Sequence, residues 1–139
     1  MKRLPAHVLA GETDRWTEIL FRALSNRVAK RWRFVSFRGK NRGEWRGIVD
    51  IVAIRKNTSI PANPDLKRGD LFDLILIQMK GGSARAPSMV EKRRLQAVAE
   101  HYGAREVVLF QWKKGKSTTF YTLSNALGWR PSTSSEIFG

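Results

Sequence analysis

The chain has 139 residues, and its 26 lysines and arginines against 12 acidic residues give a formal net charge of +14. This is the length of one ordinary domain, and 42% hydrophobic residues suffice for a core, which excludes wholesale disorder and fibrous repeats. The absence of cysteine excludes disulfides and thiolate zinc sites. Such a charge calls for a polyanionic partner. Nucleic acid is the commonest one, and an acidic membrane surface is the rival.

Targeting and membrane segments are not expected. No apolar run approaches the roughly 20 residues that span a bilayer. Pro5 and His7 interrupt what would be the apolar part of a signal peptide. We therefore expect a cytoplasmic protein that does not enter the membrane.

The first half of the chain predicts a helix followed by three strands. Apolar residues recur at helical spacing from about Glu12 to Trp32. Residues 33–39 and 48–56 have the character of strands around the turn-rich residues 40–47, and 71–80 is a third strand. The long segment 57–70 is predicted to be a loop that acts as a flap over the substrate. The expected inward stripe of the helix is Trp16, Ile19, Leu20, Ala23, Leu24 and Val28.

The second half predicts a crossover helix and two further strands. Pro87 and Ser88 precede the helix and Gly103 ends it. Strands are predicted at 105–112 and 118–124, with a poorly ordered tail at 131–139. The order αβββαββ predicts one α/β domain over residues 1–130, with a mixed central sheet of about five strands and helices packed on it.

Three polar residues stand at the ends of apolar strands. Asp50 lies among apolar residues, while Gln78 and Lys80 follow the apolar run of the third strand and share one face of it. A carboxylate in such surroundings is costly unless a cation or hydrogen-bond donors compensate it. Asp50 and the Gln78 amide oxygen are hard ligands of the kind that Mg²⁺ prefers, and Mn²⁺ is the alternative. Lys80 beside the metal is suited to orient or deprotonate an attacking water and to stabilise the pentavalent phosphate.

The succession GIVDIVAIRK (47–56), DLILIQMKGG (73–82), RLQAVAEHYGA (94–104) and EVVLF (106–110) resembles the PD-(D/E)XK nuclease superfamily over roughly residues 12–112. The small single-domain members are most similar, of the Holliday-junction resolvase type or the virus-type replication-repair nuclease type. In the latter, Lys-Gly follows the motif and a glutamine lies on the next helix, as do Lys80-Gly81 and Gln96 here.

The resemblance implies a restriction-endonuclease-like core and a set of catalytic residues. Asp50 matches the metal-binding aspartate, Gln78 the first position of the (D/E)XK element and Lys80 the catalytic lysine. Glutamine at that first position removes one negative charge from the metal site, giving a D…QxK variant. The family also places a glutamate on the first helix, for which the inward stripe favours Glu12, with Glu18 as competitor. Gln96 is a candidate for supporting the site.

Basic residues predict where nucleic acid binds, because cations neutralise phosphates. Trp32, Phe34, Phe37 and Trp45 lie among the cations of one segment, either to stack on bases or as part of the core. The candidate nucleic-acid contacts are Lys40, Arg42, Arg46, Lys67, Arg68, Arg93, Lys113 and Lys114.

The sequence thus predicts a metal-dependent nuclease that hydrolyses phosphodiester bonds in DNA, of the repair, recombination or restriction type. Its small size favours structure-selective recognition of branched or flapped DNA, as a homodimer. The alternatives are a non-catalytic nucleic-acid-binding protein on the same fold and a basic protein that binds acidic partners.

Overall fold

A computed structural model of the chain describes residues 6–37, 47–82, 85–113 and 118–139, with side chains from residue 15 onward. The elements alternate as an α/β protein requires. In chain order they are α1 (Ala6–Asn26), β1 (Arg33–Ser36), β2 (Ile51–Lys56), β3 (Phe72–Gly81), α2 (Met89–Tyr102), β4 (Glu106–Trp112), β5 (Thr119–Leu123), β6 (Trp129–Ser132) and α3 (Ser134–Phe138).

The six strands form one sheet in the order β1-β2-β3-β4-β5-β6. Neighbours are antiparallel except β3 and β4, which are parallel because α2 carries the chain back across the sheet between them. The predicted mixed sheet is confirmed, with one strand more than expected. The predicted turn at 40–47 falls mainly on residues outside the described ranges.

Each face of the sheet buries its own hydrophobic cluster, and β3 contributes to both. Ile75, Ile77 and Met79 belong to a cluster packed with Phe21 of α1. Leu76 faces the other way, into a cluster with Leu95 of α2. Because side chains alternate along a strand, Gln78 and Lys80 share the α2 face with Leu76.

The α1 helix is rotated relative to the predicted stripe. Among the α1 residues with described side chains, Thr17, Phe21 and Ser25 are buried, whereas Trp16 and Ile19 are 57% and 44% exposed. The rotation places the Phe21 ring edge-on to Phe34, Phe110 and Phe138. Leu20, Leu24 and Val28 of the predicted stripe still pack against this aromatic cluster, so the rotation exposes only one side of the stripe.

The C-terminal residues are ordered, contrary to the prediction of a poorly ordered tail. Trp129–Ser132 pairs with β5, and the Thr133 hydroxyl caps α3 by accepting from the Glu136 amide. Phe138 is only 2% exposed and packs against Trp32 and Phe34. The prediction was based on the polar composition of residues 131–139 and did not consider that Phe138 could be buried. Trp32 and Phe34 therefore belong to the core rather than to a base-stacking surface.

The predicted bounds of α2 are confirmed. The Ser88 hydroxyl accepts from the Glu91 amide and the Glu91 carboxylate accepts from the Ser88 amide, which together form a capping box. At the other end Gly103 takes the left-handed conformation at φ 63°. Within the described ranges, no helix combines the length and apolar character needed to span a bilayer.

We predict that Phe138→Ala lowers the free energy of unfolding by about 3–5 kcal/mol, because it empties a ring-sized space between α1 and the sheet. Chemical denaturation measures the change. Ser135→Ala, at an exposed position of the same helix, is the control and should stay within about 0.5 kcal/mol of the wild type. Equal stability of the two variants would mean that α3 does not dock in solution.

Candidate active site

Asp50 joins the ends of β2 and β3 through its side chain. Its carboxylate Oδ2 accepts from the Met79 backbone amide at 2.7 Å. Its own backbone amide donates to the Ile77 carbonyl, and its carbonyl accepts from the Phe37 amide. Because regular pairing of β2 with β3 ends at Ile51 and Ile77, the carboxylate replaces the next hydrogen bond of the ladder. Asp50 thus lies one residue before β2 rather than within it.

Gln78, on the neighbouring strand β3, is a buried polar residue. It is 5% exposed, and its Oε1 has no hydrogen-bond partner among the described residues. The pairing of Ile51 with Ile77 places Asp50 opposite Gln78 when it is continued by one residue. A buried amide oxygen without a partner is costly to maintain in a core. Such an oxygen is suited to coordinate a cation, or to accept a hydrogen bond from a group that the protein chain does not supply.

Lys80 lies two residues further along the same face. Its Nζ is 3.6 Å from Oε2 of Glu91, in the first turn of α2. The parallel crossover explains this contact, because α2 begins beside the end of β3. The structure therefore places Gln78 and Lys80 on one face of β3, Asp50 next to the end of that strand, and Glu91, which the motif did not indicate, beside Lys80.

Glu91 is kept in its charged form by its surroundings. The hydrogen bond from the Ser88 backbone contributes most to holding its pKa below the ordinary value, with further contributions from the charge of Lys80, the Ser88 hydroxyl and the Gln78 side chain. Partial burial acts in the opposite direction. The sequence signal for Glu91 was the Ser-x-x-Glu capping box. Only the fold shows that this carboxylate also faces Lys80.

The two glutamates predicted for the first helix have different positions. Glu12 lies in α1, but its side chain is outside the described part of the structure. Glu18 accepts from the Ser36 hydroxyl at 2.6 Å and from Arg22 Nε at 3.3 Å. Since Ser36 pairs with Ile51, Glu18 lies near the strand end that carries Asp50. The exposure of Trp16 and Ile19 removes the stripe on which the preference for Glu12 was based.

Gln96 lies away from Lys80. Its amide points to the Glu100 carboxylate at 3.4 Å, and it lines a separate cavity with Arg105 and Arg130 near the start of β4. A helix rises about 1.5 Å per residue, so five residues along α2 separate it from Glu91 by about 7–8 Å. The structure does not bring Gln96 into contact with the Asp50 cluster.

The predicted nucleic-acid contacts fall at both ends of the sheet. Arg93 on α2 and Lys113 after β4 are exposed at the end that carries Lys80. Lys67 and Arg68 are exposed in the loop 57–70, which joins β2 to β3 at the opposite end. That end is eight residues from Lys80 along β3, or about 26 Å. The loop is therefore not placed as a flap over Lys80. Lys40, Arg42, Arg46 and Lys114 are outside the described residues.

The donor chemistry of the cluster fits a hard divalent cation. Gln78 lies opposite Asp50 when the strand pairing is continued by one residue, and carboxylate and amide oxygens are ligands of the kind that suit Mg²⁺ or Mn²⁺. Within the described ranges there is no group of three or more acidic, histidine or cysteine side chains able to hold a metal ion. Asp50 and Gln78 have the oxygen atoms that would suit such an ion, and further ligands would be needed to complete its coordination.

No protein-family model matches the chain, and no curated protein sequence matches it either. Among solved structures it is similar to Hjc from Archaeoglobus fulgidus, a Holliday junction resolvase from an archaeal hyperthermophile. The two chains share 15% sequence identity with a TM-score of 0.50, over 90% of this chain and 99% of that chain. The chain therefore has a restriction-endonuclease-like fold, as the sequence predicted.

We predict that Gln78→Met changes the free energy of unfolding by no more than about 1 kcal/mol, because the loss of the Gln78 contact with Glu91 is offset by removal of a buried amide oxygen that has no partner among the described residues. Thermal and denaturant unfolding without added metal measure this. Ser25→Ala is the matched control, since Ser25 Oγ is also buried without a partner among the described residues. A loss of more than about 2 kcal/mol for Gln78→Met would show that the amide is structural.

Proposed function

We propose that this protein is a metal-dependent nuclease that hydrolyses phosphodiester bonds in DNA, with a preference for branched substrates. The observation that carries the proposal is the position of Asp50 opposite Gln78, whose buried Oε1 has no partner among the described residues, with Lys80 two residues further along the same face of β3. The fold shared with a Holliday junction resolvase and the net charge of +14 support it. The motif resemblance to PD-(D/E)XK nucleases supplies the residue roles.

Each residue of the cluster has a role that follows from its contacts. The Met79 amide fixes the Asp50 carboxylate, so that this charge is oriented before any ligand binds. Gln78 offers a neutral oxygen beside it, and Lys80 offers an ammonium group that can donate to an attacking water or to a phosphate oxygen. Bound Mg²⁺ or Mn²⁺ would supply Lewis-acid polarisation of the phosphate and lower the pKa of water.

The proposal includes one glutamate of the first helix as a further metal ligand, and this glutamate is either Glu12 or Glu18. Glu18 is already engaged by Ser36 and Arg22, so it would have to exchange a contact in order to bind metal. Glu12 is proposed on the family resemblance alone. Glu12→Gln and Glu18→Gln, each tested for Mn²⁺ binding, distinguish the two.

The principal test is cleavage of labelled linear, flapped and four-way-junction DNA with Mg²⁺ or Mn²⁺. We predict that Asp50→Asn and Lys80→Ala each lower the cleavage rate by about 100-fold or more, because each removes a charge from the reacting centre. The asparagine oxygen can still accept from the Met79 amide, so Asp50→Asn should remain folded. DNA affinity should change far less than the cleavage rate.

Two exposed residues remote from the cluster provide matched controls. Asp65→Asn and Lys30→Ala make the same changes in charge at exposed positions and should cleave like the wild type. A wild-type protein that binds DNA but does not cut any substrate with either metal would contradict the nuclease. It would instead support a non-catalytic nucleic-acid-binding protein on the same fold.

The positions of the basic residues predict which of them contact DNA near the cluster. The double variant Arg93→Ala/Lys113→Ala should lower the slope of log affinity against log salt concentration by about 2, since each lost phosphate contact contributes about 0.9. Lys67→Ala/Arg68→Ala removes the same charge at the opposite end of the sheet. If both double variants lower the salt-dependence slope equally, DNA extends along the whole sheet. No effect of the first pair would contradict binding at the Lys80 end.

A further inference from the structure

We propose that Glu91 supplies the acidic metal ligand that the strand motif lacks, so that the carboxylate expected at position 78 is provided from the first turn of α2 instead. This inference rests on the proposed function and assigns a further residue to the same site. It predicts that Asp50, Gln78 and Glu91 act on one cation.

The first observation is the position of the Glu91 carboxylate. Its Oε2 lies 3.6 Å from Lys80 Nζ, and Lys80 shares its face of β3 with Gln78. The Gln78 side chain also stabilises the charge of Glu91. Glu91 therefore reaches the two motif residues of β3 from a different element, across the interface between α2 and the sheet.

The second observation is independent of any acidic residue. Gln78 is 5% exposed, its side chain hydrogen-bonds to Glu91, and its Oε1 has no hydrogen-bond partner among the described residues. A buried amide oxygen among charged groups is expected to be satisfied. A cation shared with the two carboxylates satisfies this oxygen and both charges.

The charge of the site favours the same assignment. With Gln78 in the motif, Asp50 is the one carboxylate that β2 and β3 bring to this point, while Lys80 contributes a positive charge. A divalent cation next to an ammonium group is repelled unless a second negative charge is present. Glu91 provides that charge and neutralises Lys80 while no cation is bound.

The capping box gives a competing explanation for a glutamate at this position. Glutamate and glutamine both suit the third residue of a helix in a capping box. Glu91→Gln therefore keeps the cap of α2 and removes the charge alone. The unfolding temperature without metal checks that the variant is folded.

The test measures binding of Mn²⁺ alone by calorimetry and by the shift in unfolding temperature, in the absence of DNA. We expect Glu91→Gln to weaken Mn²⁺ binding at least about tenfold, as does loss of a group that supports a metal site. The double variant Gln78→Glu/Glu91→Gln returns the carboxylate to the strand and should regain most of the lost affinity. Glu100→Gln, an exposed carboxylate of the same helix, is the control and should bind like the wild type.

The outcomes separate this inference from the proposed function. If Asp50→Asn abolishes Mn²⁺ binding while Glu91→Gln binds like the wild type, the nuclease site stands and the role of Glu91 is wrong. A double variant that binds no better than Glu91→Gln also overturns the inference. If the wild type and Asp50→Asn both fail to bind Mn²⁺ and DNA is not cut, the proposed function fails as well.

Discussion

The hydrogen bond from the Met79 amide to the Asp50 carboxylate determines the geometry of the candidate site. It forms where regular pairing of β2 with β3 stops. A side-chain oxygen, rather than a backbone carbonyl, accepts the hydrogen bond from β3 at this point. This contact fixes a negative charge next to two strands whose buried residues contribute to the core. Gln78 and Lys80 then lie beside that charge because side chains alternate along β3. The chemistry therefore depends on the strand pairing, which in turn depends on the two hydrophobic clusters beneath and above the sheet.

The elements that the sequence predicted best are those with strong local signals. The α2 helix has a capping box at Ser88 and a left-handed glycine at Gly103, and both ends were placed correctly. The apolar runs that follow Asp50 and precede Gln78 lie between clear breaks, so the sequence indicated where these two strands lie, whereas the roles of the two residues came from the family resemblance. In contrast, the orientation of α1 and the docking of α3 depend on Phe21 and Phe138 meeting in the core. Contacts between residues more than 100 positions apart leave no periodic signal in the chain.

Glu91 shows why a motif cannot describe a site completely. Its local sequence indicates a helix cap, and that role is confirmed by the hydrogen bonds with Ser88. Its proximity to Lys80 arises because a parallel crossover returns the start of α2 to the end of β3. The same topology separates Lys67 and Arg68 from Lys80, although the chain places all three within 14 positions. The fold thus brings Glu91 to Lys80 across an intervening segment, and it separates Lys67 and Arg68 from Lys80 although they are near it in sequence.

The measurement that tests this account most directly is anomalous diffraction from crystals soaked in Mn²⁺, without DNA. The account predicts one Mn²⁺ peak at coordination distance, about 2.0–2.2 Å, from oxygen atoms of both Asp50 and Gln78. This result would explain why a buried amide oxygen has no partner among the described residues. Ordered crystals with no peak at Asp50, or with Mn²⁺ held by other carboxylates while Gln78 Oε1 binds a water, would contradict a metal-dependent active site on these strands.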